Sequence, residues 1–190
     1  MASSSEEFLA FAGSPAYSPF RLAELKDSLN ASLLSVPKVI EVRSIYVHYV
    51  CPKSGAVAAK LKQPDSEERR ILNQLLAYGD FKSELTHDTE TQLLGKIVSG
   101  GAAESGKHRL VLYVVPRKGT VSPWSSKATS IAHVCGFEKE VQRIERGVLF
   151  SLVFDGQYKS PRGPYHFADT LHDRMTQVSC IMRQNCTAYG

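Results

Sequence analysis

The chain lacks any apolar run able to cross a membrane as a helix: Leu110 to Val115 and Val148 to Phe154, its most apolar stretches, fall far below the roughly 18 residues required. A secretory leader is missing too, since Glu6 and Glu7 stand where a signal peptide is basic and no long apolar segment follows. A cytoplasmic location with no membrane partner is the expectation. The four cysteines (Cys51, Cys135, Cys180, Cys186) include no close pair of the zinc-holding kind, and in a reducing compartment they should stay as thiols. His133 and Cys135 are only two positions apart, which on a helix turns them about 200° from each other, so they make no nucleophile–base pair. There is no glycine-rich phosphate-loop pattern. The aromatic strand motif of RNA-binding modules of similar topology is absent from Leu110 to Arg117, which argues against a nucleic-acid partner.

What is present is an ordinary globular composition, 43% hydrophobic and 22% charged over 190 residues, enough for one domain with a core or for two small halves sharing one. The net charge of +4 is small, but it is unevenly placed: Lys107 to Arg146 holds eight Lys or Arg against three Glu, leaving the rest slightly acidic. Such a local excess favours an anionic ligand or an acidic surface over a general polyanion footprint.

The segment Pro116 to Phe137, PRKGTVSPWSSKATSIAHVCGF, is the most informative. Pro123 suits a first helical position and Ser122 the N-cap before it. Ala128, Ile131, Ala132 and Cys135 form one apolar face, and Gly136 fits the C′ position, so a helix from Pro123 to Cys135 is predicted. Its first turn places Ser125, Ser126 and Lys127, with Arg117 just upstream, near free backbone N–H groups and the positive end of the helix dipole; these four are the candidate anion-binding residues. Trp124 either staples the loop to the core or stacks on a ligand. No residue is assigned a catalytic role and none a metal.

Elsewhere, residues 1–7 read as a loose leader and Phe8 to Ala12 as a strand. A helix opened by Ser18-Pro19 carries Leu22, Leu25 and Leu29. The β run Val39 to Val50 changes phase near Arg43, which points to a bulge or a change of buried face there. Asp65 and Glu68 form a capping-box pair for a helix ended by Gly79, and another helix spans Thr89 to Val98. Ser99 to Lys107 reads as a joint. Beyond it come a strand from Leu110, the capped helix, a strand over Val141 to Phe154 and a last helix near Phe167 to Gln177, on which His172-Asp173-Arg174 makes a surface hydrogen-bonding cluster. Gly13, Ser18-Pro19-Phe20, Arg43 and Ile45 are echoed by Gly119, Ser122-Pro123-Trp124, Arg143 and Ile144. Two βαβ units of this kind point to an α+β, ferredoxin-like sandwich with pseudo-two-fold symmetry rather than a doubly wound sheet.

The stretches GSPAYSPFR (Gly13 to Arg21), RSIYVHYV (Arg43 to Val50), PRKGTVSPWSSKATSIAHVCGF, VQRIERG (Val141 to Gly147) and LHDRMTQ (Leu171 to Gln177) closely resemble the N-terminal region of the large single-chain phosphoribosylformylglycinamidine synthases, fungal members most of all. The resemblance covers nearly all of residues 8–177. It implies de novo purine biosynthesis, in which the whole enzyme uses ATP to transfer glutamine-derived ammonia to formylglycinamide ribonucleotide. It further implies an architectural domain of two fused small-subunit-like units, partnered by synthetase and glutaminase domains that hold the ATP, the magnesium and the catalytic thiolate. No catalytic residue of that family maps onto these positions, so the chain alone is expected to be inactive and to carry no cofactor. After Gln177 the pattern breaks, and residues 178–190 are expected to be an unrelated, disordered tail of translated intron. The competing expectation is a stand-alone anion-binding or regulatory module of the same fold.

Overall fold

The computed structural model describes residues 8–32, 37–78, 87–101, 108–117, 119–157 and 168–180. The first half runs β1 (Leu9–Pro15), α1 (Pro19–Ser32), β2 (Val39–Pro52), α2 (Gly55–Lys62), α3 (Glu67–Leu76) and α4 (Thr89–Val98). The second runs β3 (His108–Pro116), α5 (Pro123–Ala132), a π-helical turn (His133–Phe137), β4 (Val141–Phe154), α6 (Ala168–Leu171) and β5 (Gln177–Cys180). All five strands join one antiparallel sheet in the order β1-β2-β4-β3-β5, so the doubly wound alternative fails and the α+β sandwich of ferredoxin-like type holds. The long strands β2 and β4 pair at the centre, Val47 facing Gly147, and each half adds its first strand on the outside. That arrangement is the pseudo-two-fold repeat anticipated from the sequence.

Period-two alternation sends side chains to opposite faces. On one face α1 packs Leu22 and Leu29 against Val42, Leu112, Val114, Phe150 and Leu152. The same face continues at its other end as Val50, Ile144 and Val141 under α2, α3 and α5, with Leu61, Leu72 and Ala132 buried there. The opposite face buries Ile45, Val47, Tyr49, Tyr113, Val115 and Leu149 under Leu94 and Val98 of α4. Arg43 ties this layer down by an ion pair to Asp88 (2.9 Å), the α4 N-cap that also accepts from Thr91 N.

Several boundaries differ from expectation. β1 continues to Pro15, where its register with β2 shifts. The bulge in β2 falls at Ile40, skipped between Val39↔Phe154 and Glu41↔Val153, which turns Ile40 outward and Val42 inward. Ser66, not Asp65, caps α3, its hydroxyl accepting from Arg69 N; Gly79 lies outside the described residues, as do residues 1–7. α5 ends at Ala132, and Gly136, at φ 97° inside the π turn, supplies the left-handed backbone the sequence asked of it. The last helix is only Ala168–Leu171, because Asp173 folds the chain into a turn by accepting from Met175 N (2.8 Å) and Thr176 Oγ1 (2.9 Å). The expected tail boundary is also corrected over residues 178–180: Val178, Ser179 and Cys180 pair with Val115, Val114 and Tyr113, and Cys180 is buried. Edge pairing recruits them, since β3 would otherwise leave its N–H and C=O groups bare on that side. Cys51 and Cys135 are not in disulfides, whereas Cys180 is disulfide-bonded, against the expectation of reduced cysteines throughout.

Candidate functional site

The site is built on the seam between α5 and β4. Pairing of β4 with β3 stops at Val114↔Val148, so the earlier part of β4 offers an open edge. A polar stripe on α5 fills it. Ser125 Oγ donates to Ile144 O (2.6 Å), Thr129 Oγ1 accepts from Ile144 N (3.0 Å), and His133 Nε2 donates to Val141 O (2.8 Å). Ser122, the N-cap as predicted, accepts from Ser125 N (3.0 Å) and donates through Oγ to the buried Glu145 carboxylate (2.7 Å). Ser122, Ser125, Thr129 and His133 recur at helical spacing, so one face of α5 replaces a missing strand.

This geometry reassigns the candidate anion residues. Ser125 is fully buried and its hydroxyl is committed to Ile144, so it faces β4 rather than solvent. Ser126 and Lys127 follow it around the helix and are exposed; Lys127 lies on the wall of a separate cavity of about 290 Å³ between α3 and α5. Arg117 is exposed and donates its backbone N–H to Thr176 O (3.0 Å), next to Asp173, whose carboxyl is held below the usual range first by the Met175 N–H and Thr176 hydroxyl. The four residues do not converge: Ser122 caps the helix, Ser125 is tied to β4, and Ser126 is exposed.

A different cation occupies the centre. Tyr46, His48 and Arg146 project from the same sheet face, with His48 directly opposite Arg146. The Arg146 guanidinium lies 4.3 Å from the Tyr46 ring centre and 4.7 Å from that of Trp124, within cation–π range of both. Its Nη1 donates to the Tyr78 hydroxyl (3.2 Å), which lies 2.6 Å from His48 Nε2. In this relay Tyr78 Oη accepts from Arg146 and shares a hydrogen bond with His48 Nε2. Burial, and secondarily the Arg146 charge, push the His48 pKa down to about 3. Trp124 stacks on His48 at 5.7 Å and so does more than staple a loop.

Arg146 opens onto a cavity of about 460 Å³, whose wall also includes Tyr17, Tyr46, Trp124, Met175 and Gln177. Those residues come from all five sequence stretches on which the resemblance rests. Sequence reasoning passed over Arg146. The available signal was parity: Ile144, Val148 and Phe150 face the core, and Arg146 stands among them as a charge on the inward side of a strand.

The class this defines is an α+β domain, two strand–helix–strand halves closing on a cation-bearing cavity. Among the described residues no helix is long and apolar enough to cross a membrane, and no group of three His, Cys, Asp or Glu is placed to hold a metal ion. The chain belongs to the formylglycinamide ribonucleotide amidotransferase N-terminal family, which matches residues 45–188 and therefore runs on past Gln177. It is similar to the phosphoribosylformylglycinamidine synthase of Saccharomyces cerevisiae, with 40% identity over 138 residues, or 72% of this chain and 10% of the yeast protein. The chain thus spans far less than the length of that curated relative.

Proposed function

We propose that this chain is the architectural N-terminal domain of a longer, cytoplasmic phosphoribosylformylglycinamidine synthase, and that it supplies docking surface rather than catalytic groups. The reaction of the whole protein would be ATP-dependent transfer of glutamine-derived ammonia to formylglycinamide ribonucleotide in purine biosynthesis, with ATP and magnesium held by synthetase and glutaminase portions outside these residues. The observation that carries this reading is family membership over most of the chain combined with coverage of only 10% of the yeast protein. Exposed apolar side chains support a docking role: Ile131 and Val134 at the end of α5 are 52% and 89% exposed, and Val121 and Met175 stand 55% and 81% exposed beside the central cavity. Apolar surface of this kind, gathered beside polar residues, is typical of interaction sites.

The test has two arms. The purified chain, given glutamine, ATP and magnesium, should release neither glutamate nor ADP above a denatured control. The yeast synthase lacking its matching region should lose activity and regain it, at least in part, when this chain is added. Turnover by the chain alone, or full activity of the truncated synthase without it, would overturn the proposal.

A further inference from the structure

Arg146 is the structure's unusual charge. It is half-buried, its guanidinium carbon lies over the Tyr46 and Trp124 rings, and no described carboxylate lies within ion-pairing distance of it. The neighbouring carboxylate, Glu145, points to the other side of β4 and is occupied by Ser122 and by the Arg146 backbone N–H (2.9 Å). A guanidinium carries five N–H donors and no acceptor, and among the described residues the acceptor serving it is Tyr78 Oη. The flanking rings and this hydrogen bond hold the group at the cavity wall, where its remaining donors suit two oxygens of one anion.

The rest of the wall narrows the ligand. The hydroxyls of Thr120, Ser122 and Thr176 already donate to Arg117 O, Glu145 and Asp173, so they add little to a polar ligand. Gln177 accepts from Asp173 N through Oε1 and keeps its amide N–H groups available. The wall also carries apolar surface from the Tyr17 ring, Val121 and Met175. A volume of about 460 Å³ lies in the range of small-molecule sites. We infer that the cavity is a binding site for a small organic oxyanion, in which Arg146 takes a carboxylate or phosphate head group and the apolar rim takes the body that carries it. Neutral His48 behind the relay adds no charge of its own to the site. This role goes beyond docking and stands or falls separately from it.

Trp124 is the only tryptophan in the chain and lies beside Arg146, so its fluorescence reads the cavity directly. The intact chain is titrated with phenyl phosphate, benzoate, inorganic phosphate and benzyl alcohol. Phenyl phosphate or benzoate should give a saturable change, about tenfold or more tighter than benzyl alcohol and tighter than inorganic phosphate, and the better of the two names the head group. Arg146→Gln should weaken binding by a similar factor, whereas Lys96→Ala, an exposed cation on α4 at the opposite face of the sheet, should leave it unchanged. Met175→Glu changes an 81% exposed rim residue; it should weaken anion binding by charge repulsion even if Arg146→Gln fails to fold. No saturable response to any anion, equal binding of benzyl alcohol, sensitivity to Lys96→Ala, or undiminished affinity in Met175→Glu would each overturn the assignment.

Discussion

Acidification should destabilise this domain through His48. The imidazole is almost fully buried between Tyr78, Trp124 and Arg146, and its folded-state pKa is lowered to about 3. In the unfolded chain it returns to about 6.5. Between these values the unfolded state binds the extra proton, so stability is fully present above about pH 6.5 and is lost as pH falls towards 3. Linkage with these two pKa values gives a loss of about 2 kcal/mol on going from pH 7 to pH 5, a sizeable part of a typical domain's stability. For a domain of this size that corresponds to a fall of roughly 4–8 °C in melting temperature. The assay is thermal unfolding followed by circular dichroism at half-unit pH steps, on the natural chain and on His48→Gln. The variant lacks the titrating ring, so its melting temperature should be nearly flat over the same interval, whatever its absolute value. A flat profile for the natural chain, or an equal fall in both proteins, would refute the assignment of a buried neutral histidine.

Three further outcomes follow from the seam and the sheet. Gly147→Ala would bring a Cβ to 2.7 Å from Val114 O and 3.0 Å from Val115 Cγ1, so urea unfolding should show a loss of about 1–3 kcal/mol; unchanged stability would mean the strands give way easily. Ser125→Ala removes a buried donor from Ile144 O and should cost about 1–3 kcal/mol by the same measurement, with no change in anion affinity at the Arg146 cavity. Deleting residues 178–190 strips three residues of β5 from β3 and should lower the melting temperature by more than about 4 °C; an unchanged melt would restore the boundary at Gln177.

The parts legible in the sequence were those governed by local rules. Thr89–Val98 and Val141–Phe154 were bounded correctly because a cap and a long alternation mark them, and Ser122 was recognisable because Pro123 follows it. The repeat made the paired halves readable before any strand order was known. α2 went unread: Ser54 caps it through Val57 N, but its eight residues are too few for a clear apolar period, and only Ala58 and Leu61 are buried. β5 was missed because its pairing to β3 is a tertiary fact that no period within four residues can announce. The anion reading of α5 rested on the rules for helix ends, which take no account of an open strand edge elsewhere in the chain, and that edge holds Ser125. Arg146 belongs to the same category: its aromatic neighbours come from β2, from the end of α3 and from the start of α5.

The central pairing of β2 with β4 has a consequence for how the polypeptide holds together. Twelve residues from Glu41 to Pro52 are zipped against a strand encoded about half the chain away, and within its own half each long strand pairs only with the shorter strand on its other side, β1 for β2 and β3 for β4. The domain is in effect a dimer written on one peptide. Cutting the backbone between Gly101 and His108 would not detach a subdomain; it would turn a unimolecular equilibrium into a bimolecular one, with a melting midpoint that climbs with protein concentration. The joint therefore acts as a tether that keeps each half at high effective concentration for the other, and its length bears more on the rate of assembly than on the strength of the sheet.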